Sequence, residues 1–142
     1  MPIRDIRNNL EPKLVQLDII STDTTTDGAS IDTADYDQGL VFNFLCFLYT
    51  DGTYTPVLEE SATGTFSGEE TAIADANMQG TEAGAAVSVA TIEGGILNSI
   101  GITGTLRYVR STIVSASTST GATIAVTVQN VPSIVPVSTL SA

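Results

Sequence analysis

Apolar and polar residues alternate along most of the chain, which is the pattern of half-buried β-strands. The longest example lies between residues 105 and 129, where every second residue from Leu106 to Ala116 falls on one face. After a short Ser/Thr/Gly segment, the alternation resumes from Ala122 to Val128. The pattern predicts two long strands joined by a polar turn, in an antiparallel sheet with one face exposed to water.

Residues 40–50 form the most apolar stretch of the chain, and neither face of this predicted strand is mainly polar. One face holds Phe42, Phe44, Cys46 and Leu48, and the other holds Val41, Asn43, Leu45, Phe47 and Tyr49. Such a strand is covered on both sides, or one of its faces contacts another subunit. The candidates for an oligomer interface are Val41, Leu45, Phe47 and Tyr49.

Turn residues separate these strands from shorter ones. Asp51-Gly52 predicts a hairpin into a return strand at 54–61, in which Pro56 indicates an edge position or a bulge. Residues 17–21, 29–33 and 86–92 fit further strands, and the glycine-rich residues 94–103 fit a bend. About seven short strands predict an all-β fold, an antiparallel β-sandwich.

The two ends of the chain differ from the middle. Ile3, Ile6, Leu10 and Leu14 have helical spacing, but Pro12 interrupts it. Residues 1–18 are therefore interpreted as an extended or partly helical arm, which either docks on a neighbour or is a frayed terminus. The sandwich is expected at 19–130, and 131–142 is expected to be an extended tail.

The charge is strongly negative and unevenly placed. The formal net charge is −11, yet residues 1–18 hold three basic and three acidic residues and sum to zero. The body of the chain repels nucleic-acid backbones and anionic membrane surfaces, so neither is an expected partner. Ser and Thr replace the usual charged residues, which make up only 15% of the chain, and they favour strands over helices.

The chain lacks the residues that most catalytic mechanisms require. The chain has no histidine and a single cysteine, Cys46, which sits in an apolar strand where it fits a buried, inert thiol. Glu59 and Glu60 are adjacent on a predicted strand and point to opposite faces, so they do not form a catalytic pair. The sequence therefore predicts neither an enzyme nor a cofactor.

Two features of the charged residues leave alternatives open. Asp23, Asp27, Asp32, Asp35 and Asp37 supply oxygen ligands for Ca²⁺, but their spacing departs from the EF-hand, and a solvated acidic loop is the favoured interpretation, with no metal. Arg107 and Arg110 are expected to pair with carboxylates, one of them half-buried against Glu59 or Glu60.

No apolar run is long enough to span a membrane, and the first 13 residues lack the apolar core of a secretory signal. Synthesis and use without classical export are therefore expected.

Three segments, in order, resemble a family of small phage capsid proteins called cement or decoration proteins. The segments are MPIRDIRNNLEPKLV at the start, TDGASIDTADYDQGLVFNF followed by DGTYTPVLEES, and TLRYVRSTIVSASTSTGATIAVTV. They resemble the family's R-D-x-x-N-N arm, its D-G-T hairpin with an L-E-E-S return strand, and its R-Y-V-R strand. Together they cover most of the chain, and residues 62–103 match least well.

This resemblance implies a structural role in the virion. A cement protein binds the capsid exterior and bridges neighbouring major capsid proteins, as a homo-oligomer that is most often a trimer and sometimes a dimer. It would be synthesised in the bacterial host cytoplasm. The candidates for capsid contact are Ile3, Arg4, Ile6, Arg7, Leu10 and Lys13.

Other contact roles fit the same fold, because a fold does not fix a function. The alternatives are a phage tail, head-fibre or head–tail joining subunit, and a surface module that binds a receptor or a sugar.

Overall fold

Two five-stranded antiparallel sheets pack against each other and form an all-β sandwich, as the alternation predicts. The structure is a computed structural model, and it describes residues 12–36, 39–88 and 95–130. Strands are numbered in chain order, and the two sheets are called sheet A and sheet B.

Sheet A contains the first and last described strands side by side. In spatial order its strands are β1 (Lys13–Ile20), β10 (Ala122–Asn130), β4 (Leu40–Phe47), β8 (Ile96–Ile102) and β7 (Met78–Gln79). The β10 strand pairs with β1 on one side and with β4 on the other, so β1 is an edge strand and β10, β4 and β8 form the middle of the sheet.

Sheet B is built around two nine-residue strands, β5 (Thr53–Ser61) and β9 (Tyr108–Ala116). The short strands β2 (Thr25–Asp27) and β3 (Ile31–Asp32) pair with β9, and β6 (Thr71–Ala72) pairs with the end of β5. Short 3₁₀ turns lie at Thr33–Asp35 and Asp75–Asn77, and a one-turn α-helix spans Glu82–Ala85.

The core lies between the sheets and is filled by every second residue of each long strand. Sheet A contributes Phe42, Phe44, Cys46, Ile100, Ile102, Ile124, Val126 and Val128, and sheet B contributes Tyr54, Leu58, Val109 and Ile113. These side chains are almost completely buried, so each contributes roughly 1.5–3 kcal/mol of burial free energy. The inward periodicity of two thus supplies the main stabilisation of the fold.

Both predicted hairpins are wrong, because each joins strands of different sheets. The β4 strand belongs to sheet A and β5 to sheet B, while β9 belongs to sheet B and β10 to sheet A. The segments 48–52 and 117–121 are therefore arches that cross from one sheet to the other. Alternation and turn residues reveal where a strand ends, but they do not reveal which sheet receives the next one.

The two arches bind each other at one end of the sandwich. The Asp51 carboxylate accepts hydrogen bonds from the backbone N–H of Ser119, Thr120 and Gly121, at 2.8–3.2 Å, and from the Ser119 hydroxyl. These donors, the Ser119 hydroxyl first, lower the pKa of Asp51 from 3.8 to about 2. The Thr50 N–H donates to the Gly121 carbonyl at 2.9 Å, so the connection is also made through the backbone.

Gly121 is required at this joint for two reasons. Its φ of +103° lies in the left-handed region that glycine favours. A Cβ atom there would stand 1.7 Å from the Ile20 carbonyl oxygen. The close approach brings the end of β1 against the arch.

The expected boundary between arm and sandwich at residue 18 is wrong. The β1 strand begins at Lys13 and pairs with β10 along its length, with a bulge between Leu14 and Gln16. Val15 and Gln16 are buried, so the sandwich starts within the predicted arm. The remainder of the arm, 1–11, and the predicted tail, 131–142, lie outside the described residues.

The bend expected at 94–103 is also wrong. Residues Ile96–Ile102 form β8, which pairs with β4 from Leu40 to Cys46. Ile100 and Ile102 are buried, and their burial outweighs the low strand propensity of the neighbouring glycines. Of the strand expected at 86–92, Val87 forms a single bridge to Tyr54, and 89–94 lie outside the described residues.

Candidate interaction surfaces

The outer face of sheet A carries no charged side chain at the positions that the structure describes on its four long strands. Its members, strand by strand, are Leu14, Leu17 and Ile19; Thr123, Ala125, Thr127 and Gln129; Val41, Asn43, Leu45 and Phe47; and Leu97, Ser99 and Gly101. The charged residues of β1, Lys13 and Asp18, pair with the inward-facing Val128 and Ile124 and so lie on the other side of the strand.

One half of this face is apolar. Leu17, Ala125, Leu45 and Leu97 are directly paired neighbours across four strands, and Ile19 and Phe47 flank Thr123 in the next row. These six apolar residues are called the apolar half below. Leu17, Ile19 and Leu97 are 59%, 84% and 62% exposed, and Leu45 and Phe47 are half-buried. Three large side chains this exposed on one sheet face indicate a contact surface.

The other half of the face is polar and satisfies its own hydrogen bonds. Asn43 donates from Nδ2 to Thr127 Oγ1 at 3.4 Å, and it accepts at Oδ1 from the Ser99 hydroxyl at 2.7 Å. The three residues lie in one row across β10, β4 and β8. This half of the face therefore interacts readily with water or with a polar partner.

The alternation of β4 reverses beyond Phe47. Leu48 has a φ of +52° and is 78% exposed, instead of facing the core with Cys46. Tyr49 packs against the core, and its hydroxyl donates to the carbonyls of Gly52 and Ser88 at 2.7 Å. The candidates Val41, Leu45 and Phe47 lie on the outer face of sheet A, whereas Tyr49 does not, because the chain turns into the arch before it.

The outer face of sheet B is charged, and its charges are paired. Arg110 lies between two carboxylates, with Nε 2.7 Å from Glu59 Oε2 and Nη1 3.1 Å from Asp27 Oδ2. Its guanidinium also stacks 4.7 Å from the Phe66 ring centroid. The Arg110 and Glu59 side chains are only 15% and 19% exposed. The sequence left open whether Arg107 or Arg110 is half-buried against Glu59 or Glu60, and the structure has Arg110 beside Glu59.

Arg107 and Glu60 have other partners than the sequence suggests. Arg107 pairs with Asp32, with Nη2 2.9 Å from Oδ2, and its hydrogen bonds lower the pKa of that carboxyl group. Glu60 accepts a hydrogen bond from the Leu106 N–H at 2.8 Å. Arg107 is 60% exposed, so its ion pair is a weak one.

Three aspartates of the acidic loop, Asp23, Asp27 and Asp32, have separate partners. Asp23 accepts from the Thr118 N–H at 2.7 Å, while Asp27 and Asp32 pair with different arginines. Within the described residues, no group of three or more metal-ligating side chains converges. Asp37 lies outside those residues. The geometry of this loop is that of turn capping and ion pairing.

The Cys46 thiol is buried, as predicted, and desolvation raises its pKa to about 11.

An open cleft of about 230 Å³ lies between the β3–β4 and β8–β9 connections. It is lined by hydroxyl, apolar and backbone groups that include Thr33, Tyr36 and Thr103. Among the described residues of its lining, none carries a carboxylate or cationic side chain. Among the described helices, none is long and apolar enough to cross a bilayer.

The candidates for capsid contact fall mostly outside the described residues, since only Lys13 is among those described. It is exposed at the start of β1, and the three large side chains that follow on the outer face, Leu14, Leu17 and Ile19, are each more than half exposed. Leu17 and Ile19 were not among the predicted contact residues, although the i, i+2 spacing of two large apolar residues around Asp18 indicates a strand with an apolar face.

Comparison with protein-family models, with curated proteins and with solved structures finds no match to this chain.

Proposed function

We propose that this chain is a structural phage protein that binds the exterior of a capsid and bridges neighbouring major capsid proteins. It works through contact as a homo-oligomer, without catalysis and without a cofactor, and it is made in the host cytoplasm. The observation that carries the contact role is the outer face of sheet A, whose described positions are uncharged and partly apolar on a chain with a net charge of −11; we assign this face to contact between copies and the arm to contact with the capsid.

The location of the resembling segments supports the same role. The first segment runs into β1, the second spans β3, β4 and β5, and the third spans β9 and β10. In space, β1, β10 and β4 are neighbours in sheet A, while β9 and β5 are neighbours in sheet B. The second and third segments thus supply central strands of both sheets, and the first segment reaches the edge strand β1.

The mechanism is mass action on an assembled lattice. A protein that binds only the finished shell stabilises that shell by RT ln(1 + [L]/Kd) for each site. Residues 1–11, which include basic and apolar residues, precede β1, the edge strand of sheet A. The arm is the segment that we propose contacts the capsid.

The test uses capsids that lack the protein. Purified protein is titrated onto them, and bound copies are counted by gel densitometry and located by electron microscopy. Saturation at a fixed stoichiometry over the capsid faces, with a raised melting temperature of the shell, is the expected result. Binding at one vertex would support a tail or head–tail joining subunit instead, and absence of binding would overturn the proposal.

A truncation tests the arm separately. Removing residues 1–11 leaves the whole of β1, whereas removing 1–16 would delete the buried Val15 and Gln16 and disturb the fold. The 1–11 truncation is expected to keep its melting temperature and to lose affinity for the capsid. Unchanged affinity would contradict the role of the arm.

A further inference from the structure

We propose that the outer face of sheet A docks on the same face of a second copy of this chain, around a two-fold axis. The inference rests on the homo-oligomer of the proposed function, for which it names the surface and the symmetry, and it does not depend on the capsid role.

The charge distribution selects this face for self-association. Each copy carries a net charge of −11, so two copies repel each other over most of their surfaces. The described outer-face positions of the long strands of sheet A are uncharged, so burying them leaves no unpaired charge in the interface. Docking through sheet B would instead bury Asp27, Glu59 and Arg110 in each copy. A second acidic copy therefore approaches through sheet A.

The layout of the face favours a two-fold axis. An interface in which a face meets the identical face of its partner is isologous, and it closes with two copies. In a trimer, each apolar half would contact a different surface of the neighbouring copy. The outer face of sheet B is unsuitable for that contact, because it is charged. An axis through the apolar half, near Leu45 and Ala125, superposes apolar residues on apolar residues. The resemblance favours a trimer, whereas this geometry favours a pair.

The area of the face is sufficient for a specific but weak dimer. Its four long strands contain seven to nine residues each. Strands about 4.8 Å apart that rise about 3.4 Å per residue cover a face of about 500 Å². Two such faces bury about 1,000 Å², the size at which specific interfaces begin. Leu48 adds apolar surface at the arch end, beside Phe47.

Sedimentation velocity and light scattering on the full chain, over a wide concentration range, provide the test. The wild-type chain is expected to shift from monomer to dimer mass as its concentration rises. Added NaCl is expected to strengthen the dimer, because salt screens the repulsion between the acidic bodies while the interface itself contains no ion pair. A monomer at every concentration, a trimer, or dissociation by salt would each overturn the proposal.

Three substitutions locate the interface. Leu45→Glu and Leu97→Glu place a carboxylate in the apolar row of each copy and are expected to weaken the dimer roughly 100-fold or more. Val114→Glu is the matched control, because Val114 is a partly exposed apolar residue on the outer face of sheet B. This variant should dimerise like the wild type after allowance for its added charge.

Circular dichroism checks that each variant folds. Leu97→Glu keeps the test decisive if Leu45→Glu is unstable, because Leu97 is already 62% exposed. A folded Leu97→Glu variant that dimerises as tightly as the wild type, or selective loss of the dimer in Val114→Glu, would contradict the assignment. Capsid titration is a separate measurement, so failure of the dimer is distinguishable from failure of the capsid role.

Discussion

The outer faces of the two sheets differ in how they use their side chains. On sheet B, Arg110 is held between Asp27 and Glu59, and Thr112 donates a hydrogen bond to this group from the middle of the face. On sheet A, Leu17, Ile19 and Leu97 are more than half exposed. The side chains of sheet B interact with one another, while those of sheet A have apolar surface left for a partner.

The difference shows that a charged surface and a contact surface are not the same thing in this protein. The charged face pairs its side chains around Arg110 and contributes to folding. On the uncharged face, Leu17, Ile19 and Leu97 contribute little to folding, because their side chains remain largely in contact with water. Exposed apolar side chains are costly to solubility, which is tolerable on a body whose net charge is −11.

The comparison is most strongly tested by Arg110→Met. Removing the guanidinium leaves Glu59 half-buried beside Asp27 with no cation between them, and it ends the stacking on Phe66. We expect a loss of roughly 1–3 kcal/mol in the free energy of unfolding, discounted for the exposure of Asp27. Urea unfolding followed by circular dichroism measures it.

Arg107→Met is the matched control on the same sheet. Its side chain is 60% exposed, so the expected loss is below about 0.5 kcal/mol. Equal losses for the two variants, or none for Arg110→Met, would show that the charged face of sheet B does not stabilise the fold.

Part of this contrast was predictable from the sequence. The two largely apolar faces of 40–49 predict that one side of β4 is available to another subunit, and Leu45 and Phe47 do lie on the outer face. A half-buried pair between one of the two arginines and Glu59 or Glu60 was expected from the excess of acidic residues, but the register that selects Arg110 and Glu59 was not.

The rest depended on which strands meet. Alternation assigns a residue to one face or the other, but it does not say which sheet a strand joins. For that reason the segments at Asp51-Gly52 and 117–121 resembled hairpin turns and are arches between sheets. The positive φ of Leu48 then exchanged the expected positions of Leu48 and Tyr49, a backbone effect that no periodicity reveals.

Asp51 lies outside both faces, and we expect its charge to stabilise the fold as well. Asp51→Asn keeps one carbonyl oxygen but loses the charge that binds the N–H groups of the second arch. We expect a lower melting temperature at pH 6, by less than for Arg110→Met. Asp75→Asn, at an exposed site, is the control for removal of one charge.

The pH dependence of this loss has a definite sign. Because the folded pKa of Asp51, about 2, lies below its ordinary 3.8, the carboxylate stabilises the fold fully above about pH 4. That stabilisation disappears as the pH falls toward 2. The difference in melting temperature between wild type and Asp51→Asn should therefore shrink from pH 6 to pH 2. The other carboxylates titrate in both proteins, so their effect cancels in this difference. A constant difference would show that the charge of Asp51 is unimportant.

The smallest expected effect is on the apolar face itself. Leu97→Thr replaces a side chain that is already 62% exposed, on a strand that suits a β-branched residue. At concentrations where the chain is monomeric, we expect the free energy of unfolding to change by less than about 0.5 kcal/mol. Ile100→Ala, three residues along the same strand and fully buried, should cost about 2–5 kcal/mol and shows that the assay responds. If Leu97→Thr destabilised the monomer as much as Ile100→Ala, the outer face of sheet A would be part of the folding core, and its apolar side chains would need no partner to explain them.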